Sequence, residues 1–166
     1  MDKIKEIIKV FKMSKHPEGG YFSEVFRSNE LHRKESLPSR YKGDRHHYSS
    51  IYFLLEKNNF SAFHKLKTDE IWHFYSGGRL LIYLIESKDK ITKIKLGFDH
   101  KSGDKFQALV KKGKWFAAEV ENKNSYSLVG CTLSPGFDFE DFELGDRNKL
   151  TKQFPIHKDI IDRLTR

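Results

Sequence analysis

From His47 to Leu133 the chain is a train of short apolar runs broken by turn residues. The runs are His47–Leu55, Phe60–His64, Glu70–Tyr75, Leu80–Ile85, Ile91–Leu96, Phe106–Val110, Trp115–Val120 and Tyr126–Leu133. Between them stand Lys57-Asn58-Asn59, Gly77-Gly78, Ser87-Lys88-Asp89, Lys112-Gly113 and Asn122-Lys123-Asn124. Leu80–Ile85 is apolar on both faces, as in a strand buried between layers, whereas Ile91–Leu96 alternates. Many short strands at regular spacing, with helices only at the two ends, make an antiparallel sandwich or barrel. No internal repeat, low-complexity tract or linker divides the chain, so a single domain over residues 1–166 is predicted.

Helical periodicity is confined to the termini. Ile4, Ile7, Ile8 and Phe11 predict a short amphipathic helix over residues 2–12, and Ile156, Ile160, Ile161 and Leu164 a closing helix after Pro155. His16-Pro17-Glu18-Gly19-Gly20 reads as a tight turn leading into a strand over Tyr21–Ser28. Asn29–Asp44, polar, basic and proline-bearing, reads as an exposed loop.

The run from Phe60 to Gly78 carries the candidate chemistry. Two aromatic-rich segments flank Lys65–Asp69, which predicts a β-hairpin with a five-residue loop. In that register His64 opposes Glu70, Ala62 opposes Trp72 and Phe60 opposes Phe74, all on one face; Phe63, Ile71, His73 and Tyr75 take the other. An imidazole beside a carboxylate, backed by Trp72 and Phe74, would form the polar end of an apolar pocket.

Of the 166 residues, 31 are Lys or Arg and 23 Asp or Glu, a formal net charge of +8. The basic residues are scattered, and no helix-turn-helix, zinc-finger or RNA-binding signature accompanies them, so a solvated surface is expected rather than a nucleic-acid face. No run approaches the ~18 apolar residues of a membrane span. The start, Met1-Asp2-Lys3-Ile4-Lys5-Glu6, lacks the apolar core of a secretory signal. The single cysteine, Cys131, fits a reducing cytoplasm and reads as a buried, inert thiol.

Several stretches in one order resemble a small cupin family without an established reaction: His16-Pro17-Glu18-Gly19-Gly20-Tyr21-Phe22, Glu24, Arg27-Ser28, Ser50–Leu55, His64, Asp69-Glu70-Ile71-Trp72-His73, Trp115-Phe116-Ala117-Ala118 and Gly130-Cys131-Thr132-Leu133-Ser134-Pro135-Gly136-Phe137-Asp138-Phe139. The resemblance runs from about His16 to Leu164. It implies an all-β double-stranded β-helix, the cupin jelly-roll barrel, with a short α-helix at each end, often as a homodimer. It also implies kinship of architecture with deoxyhexose-pathway epimerases and germin-like proteins.

Many cupins hold a divalent metal through two histidines spaced by one residue, a following glutamate and a further histidine in a second motif. Matched here, these positions are His64, Leu66 and Glu70, with no histidine in Trp115–Val120. Leucine cannot coordinate, and two ligands fall short of the usual three, so no metal cofactor is expected to be required. His64, Glu70 and, in another register, His73 remain the only metal candidates.

The metal-free alternative is acid–base work, with His64 as base and Glu70 as its partner, set against a buried His–Glu hydrogen bond that only satisfies two polar groups. The resemblance to metal-free epimerases implies a tyrosine acid, Tyr21, Tyr52 or Tyr75, with Tyr52 foremost. Tyr21, Glu24, Arg27, Trp72, Phe74, Phe137 and Phe139 are the predicted ligand-binding residues, Arg27 as an anchor for an anion. Glu24 and Arg27 lie on opposite faces of a regular strand and share a pocket only across a bulge. The function expected is binding of a small polar or sugar- or nucleotide-like ligand in the barrel, as a metal-independent carbohydrate isomerase or epimerase. A non-catalytic sensory module, or a structural dimer whose barrel is filled, are the alternatives.

Overall fold

A computed structural model describes residues 3–166. Helix α1 (Lys3–Val10) is followed by strands β1 (Ser14–Lys15), β2 (Tyr21–Arg27), β3 (Leu31–His32), β4 (Arg45–His46), β5 (Ser49–Glu56), β6 (Phe60–Leu66) and β7 (Glu70–Gly77). Then come β8 (Leu80–Ile85), β9 (Ile91–Leu96), β10 (Gln107–Val110), β11 (Trp115–Val120), β12 (Tyr126–Leu133) and β13 (Phe142–Leu144). The chain closes with α2 (Arg147–Gln153) and α3 (Lys158–Arg163). The strands from Leu80, Ile91, Trp115 and Tyr126 match the expected runs end to end. The N-terminal helix ends two residues before the predicted limit, and Asp2 of that prediction lies, with Met1, outside the described residues.

Two antiparallel sheets face each other, one in the order β1-β2-β5-β12-β7-β10 and the other β13-β6-β11-β8-β9. From β5 onward successive strands mostly alternate between them, which is the jelly-roll winding. Between the sheets lies the main core, including Phe53, Leu55, Trp72, Phe74, Ile82, Phe116, Val129 and Leu133. The outer face of the five-stranded sheet is covered by Leu150, Phe154, Ile161 and Leu164 of the C-terminal segment, packed on Phe63, Leu81 and Tyr83. Helix α1 covers part of the six-stranded sheet, setting Ile7 against Leu54 and Leu128.

This winding corrects the predicted hairpin. β6 pairs with β11 and β13, and β7 with β12 and β10, so the two strands lie in opposite sheets. Lys67-Thr68-Asp69 arches from one sheet to the other, with the Thr68 hydroxyl 2.8 Å from that of Tyr41. A short polar connection looks the same in sequence whether it closes a hairpin or an arch. What decides here is that β6 is buried on both faces: Phe63 under the C-terminal helices, His64 in the barrel. Phe60 likewise packs outward, so it does not join Phe74.

The segment read as an exposed loop is also more structured than expected. Tyr41 is only 1% exposed. The following Arg45, 3% exposed, makes a bidentate ion pair with Asp141 at 2.6 and 2.9 Å. Nothing local to Arg45 signals a carboxylate 96 positions away.

Candidate functional site

Three local irregularities bring polar side chains into an apolar barrel. The first is the turn before β2. Gly19 (φ 114°) and Gly20 (φ 76°) adopt the left-handed region open to glycine, and a Cβ on Gly19 would meet the Phe60 carbonyl oxygen at 2.1 Å. The turn is thereby pressed against β6, where the Ala62 amide donates to the Glu18 carbonyl at 2.8 Å, and the Glu18 side chain is buried.

The second is a bulge in β6: Phe116 and Ala118 of β11 face His64 and Ser61, leaving one extra residue on β6. The bulge turns both Ser61 and His64 toward Glu18 despite their odd spacing. The third is a bulge in β2, where Glu24 and Phe26 pair with consecutive residues of β5, Ile51 and Ser50. It aligns Glu24 with Arg27, the condition set by strand alternation.

These elements bound a cleft of about 640 Å³, its mouth included, lined by His16, Glu18, Phe22, Glu24, Arg27, Ser49, Ile51, Phe53, His64, Leu66, Glu70, Cys131, Leu133, Phe137, Phe139 and Phe142. His64, Glu70, Glu24, Arg27, Phe137 and Phe139 therefore gather as expected. Other candidates do not. Tyr52 lies on the outer face of the six-stranded sheet, its ring 4.7 Å from that of Phe11 and 5.8 Å from that of Tyr75, because its strand neighbours Ile51 and Phe53 take the inner face. Tyr21 packs in the same outer cluster. Phe74 lies deeper in the core against Phe98. Trp72 is a core residue rather than a wall, and its indole N–H donates to Glu70 at 2.7 Å. His73 alternates with Trp72 and does not line the cleft.

The partner of His64 is Glu18, not Glu70. His64 Nδ1 lies 2.8 Å from the Ala62 carbonyl oxygen, which can only accept, so Nδ1 carries the ring proton and Nε2 a lone pair. Glu18 Oε2 is 3.2 Å from that Nε2, and Glu18 Oε1 accepts from the Ser61 hydroxyl at 2.8 Å. Burial holds His64 well below its ordinary range, at about 4, and pushes the Glu18 carboxyl up. Both shifts favour a neutral pair in which the Glu18 hydroxyl donates to imidazole. His16 Nδ1 accepts from the Glu18 amide at 3.3 Å, and its ring sits among Phe22, Phe53, Phe137, Phe139 and Phe142. Glu70 is pushed up to about 8, chiefly by burial. Burial raises the Cys131 thiol too, in keeping with an inert group beside Glu70 on the cleft lining.

Arg27 does not offer a free cation. Its Nε and Nη2 both reach Glu24 Oε2 at 2.8 Å, and Nη1 donates to the Phe137 carbonyl at 2.8 Å. It ties the Phe137 segment across the mouth instead. Glu18, His16 and Ser61 were missed by the strand pattern. The available signal was a titratable pair astride a Pro–Gly turn.

The residues do not fit the usual cupin metal. Leu66 projects into the cleft at the position of the second histidine, and β11 supplies none. Among the described residues no three His, Cys, Asp or Glu side chains converge as metal ligands would. No helix among them is long and apolar enough to cross a membrane.

Comparison with known proteins agrees with this architecture. The chain aligns with a structure of protein SO0799 from Shewanella oneidensis at 38% identity and TM-score 0.88, covering 100% of this chain and 99% of that one. A hypothetical protein from Leishmania major aligns at 31% identity and TM-score 0.86, covering 97% of each. The uncharacterized protein YML079W of Saccharomyces cerevisiae is 30% identical over 147 residues, 83% of this chain and 73% of the relative. Oxalate decarboxylase from Bacillus subtilis, at 14% identity and TM-score 0.54 over 90% of this chain and 36% of that one, shares the fold alone. A family model described as Cupin superfamily (DUF985) matches residues 5–145. With that match over most of its length, this chain belongs to the DUF985 family of the cupin superfamily.

Proposed function

We propose that the barrel cleft binds a small polar ligand and that the Glu18–His64 pair moves a proton on it, making this protein a metal-independent isomerase or epimerase. The observation that carries the reading is the 3.2 Å contact between Glu18 and the lone-pair nitrogen of a buried histidine whose other nitrogen is held by a carbonyl. One proton is shared between two groups of opposed ionisation, in a cleft with further polar groups and aromatic walls. Glu18 passes its proton to His64 Nε2 and, as the carboxylate so formed, takes one from the ligand, while Glu70, neutral below about pH 8, returns one to the ligand. Glu70 thus fills the role first given to Tyr52.

The test is a thermal-shift screen of nucleobases, nucleotide sugars and sugar phosphates with chelator present, followed by solvent-deuterium incorporation into each stabilising ligand. His64→Gln should keep binding within about tenfold but slow deuterium incorporation by about a hundredfold or more. A ligand that binds without any exchange in the wild-type protein would replace catalysis with a sensory role. A screen silent for organic ligands would favour a filled structural barrel.

The reading places the protein in the cytoplasm, in keeping with one buried thiol and no disulfide. It also makes the protein a homodimer through the outer face of the six-stranded sheet. There Ile71 and Leu109 oppose each other across β7 and β10 and, with Tyr75, are 40–45% exposed. Light scattering should give twice the 19.6 kDa chain mass, falling to one chain in Ile71→Lys/Leu109→Lys. A wild-type monomer would overturn this.

A further inference from the structure

Among the described residues, every buried carboxylate away from the cleft has a cation. Asp141 meets Arg45 at 2.6 Å and Lys67 at 3.4 Å, Asp104 meets Arg79 at 2.5 Å, and Glu119 meets Lys123 at 2.6 Å and also Arg163. The cleft breaks this pattern. Glu18 and Glu70, each 6% exposed, meet only a hydroxyl, imidazoles, an indole N–H and a thiol. Among the described residues no lysine or arginine pairs with either. The one guanidinium on the lining, Arg27, is held by Glu24 and the Phe137 carbonyl. A chain with an excess of basic residues thus lines its cavity with three acidic side chains and one occupied arginine.

The walls suit the same partner. Phe137 and Phe139 stand edge to face at 5.0 Å, with Phe142 6.3 and 6.2 Å from them. Aromatic faces attract cations, and buried carboxylates lacking a countercharge gain most from one. Since no three donors converge on a point, a bare metal ion does not match this layout, whereas a polyatomic cation touching carboxyls and rings does.

We infer that the cleft takes an organic cation, a small ligand bearing a protonated amine or similar group that ion-pairs with Glu70 against the aromatic wall. The inference rests on the reading of the cleft as a ligand site. An aminated sugar would satisfy both. Groups facing Glu70 are Glu18 from the turn before β2, His64 from β6 and Cys131 from β12, with His16, Glu24 and Arg27 completing the ionisable lining. At neutral pH Glu70 is held as the acid, so pairing with the cation leaves a carboxylate and releases its proton to solvent.

The test uses the full chain and three matched probes: benzylamine, benzyl alcohol and benzoate. Calorimetry in buffers of different ionisation enthalpy reads both affinity and protons released. Benzylamine should bind about tenfold or more tightly than either other probe, with its affinity rising about tenfold or more from pH 6 to 8 and a proton released. Glu70→Gln should remove the pH dependence and lower benzylamine affinity about tenfold or more, toward that of benzyl alcohol. Equal or tighter binding of benzyl alcohol or benzoate would overturn the cationic preference but leave the cleft a ligand site. Protection by Mn²⁺ alone, abolished in Glu70→Gln, would overturn it in favour of a metal. Silence from all three probes also overturns it, and the broader screen then decides separately whether the cleft binds anything.

Discussion

Arg45→Ala should lower unfolding stability by about 3–5 kcal/mol, because it leaves a buried carboxylate without its partner. Arg45 is 3% exposed and grips both oxygens of Asp141, while its Nη2 also reaches Glu140 at 3.1 Å and its Nη1 the Asp44 carbonyl at 2.8 Å. Lys67, 3.4 Å from Asp141, is half-exposed and cannot supply the same two-point geometry. The pair joins the segment before β5 to the turn carrying Phe139 and Phe142, two walls of the cleft. Urea unfolding should therefore show the loss together with weakened ligand binding. Replacing both partners, Arg45→Met with Asp141→Leu, should recover much of the stability, since no lone charge remains buried. A single-mutant loss below about 1 kcal/mol would place the pair among surface-like bridges of little worth.

Glu70→Gln should stabilise the ligand-free protein, and by an amount that depends on pH. The carboxyl is pushed from an ordinary 4.5 up to about 8, so the folded state binds the extra proton across that interval. Wild-type stability consequently falls as pH rises from about 4.5 to about 8 and levels beyond it. Glutamine keeps an acceptor for Trp72 and does not titrate. Its advantage should grow through that window to the order of 3–5 kcal/mol above pH 8. His64 contributes with the opposite sign: held at about 4 against an ordinary 6.5, it loses stability as pH falls through that range. The two slopes oppose each other in mildly acid solution, so the variant comparison is clearest at pH 6.5, 8 and 9. A Glu70→Gln protein destabilised equally at all three would show that the carboxyl acts only as a hydrogen-bond acceptor.

Much of the architecture can be read along the chain. Leu80–Ile85 is buried throughout and Tyr126–Leu133 nearly so, each bounded where turn residues predicted. Strand limits are local matters of apolar run length and turn chemistry, so they are visible locally. The second C-terminal helix, Arg147–Gln153, escaped because it presents only Leu150 as a buried residue, too few for a period. The site was half legible. His64, Glu70, Glu24 and Arg27 were recognisable as unusual polar residues in strand context, and the need for a bulge between the last two followed from alternation alone.

Which of them meet depends on contacts distant in the chain. Phe60–His64 and Glu70–Tyr75 read as partners because neighbouring strands often pair, yet burial of both faces of β6 required a strand on each side and a helical cover, and the chain crossed the barrel to obtain them. Glu18 lies 46 residues before His64, and no local pattern sets that contact (residue difference 64 − 18). It depends on two glycines letting a turn press against β6 and on one bulge rotating His64 toward it. Run lengths and turn residues along the chain specify an antiparallel β sandwich or barrel and its polar residues, and the resemblance narrows it to a cupin jelly roll. Folding alone, through strand order and two bulges, set Glu18 against His64 and left two buried carboxyls facing an aromatic cleft without a cation.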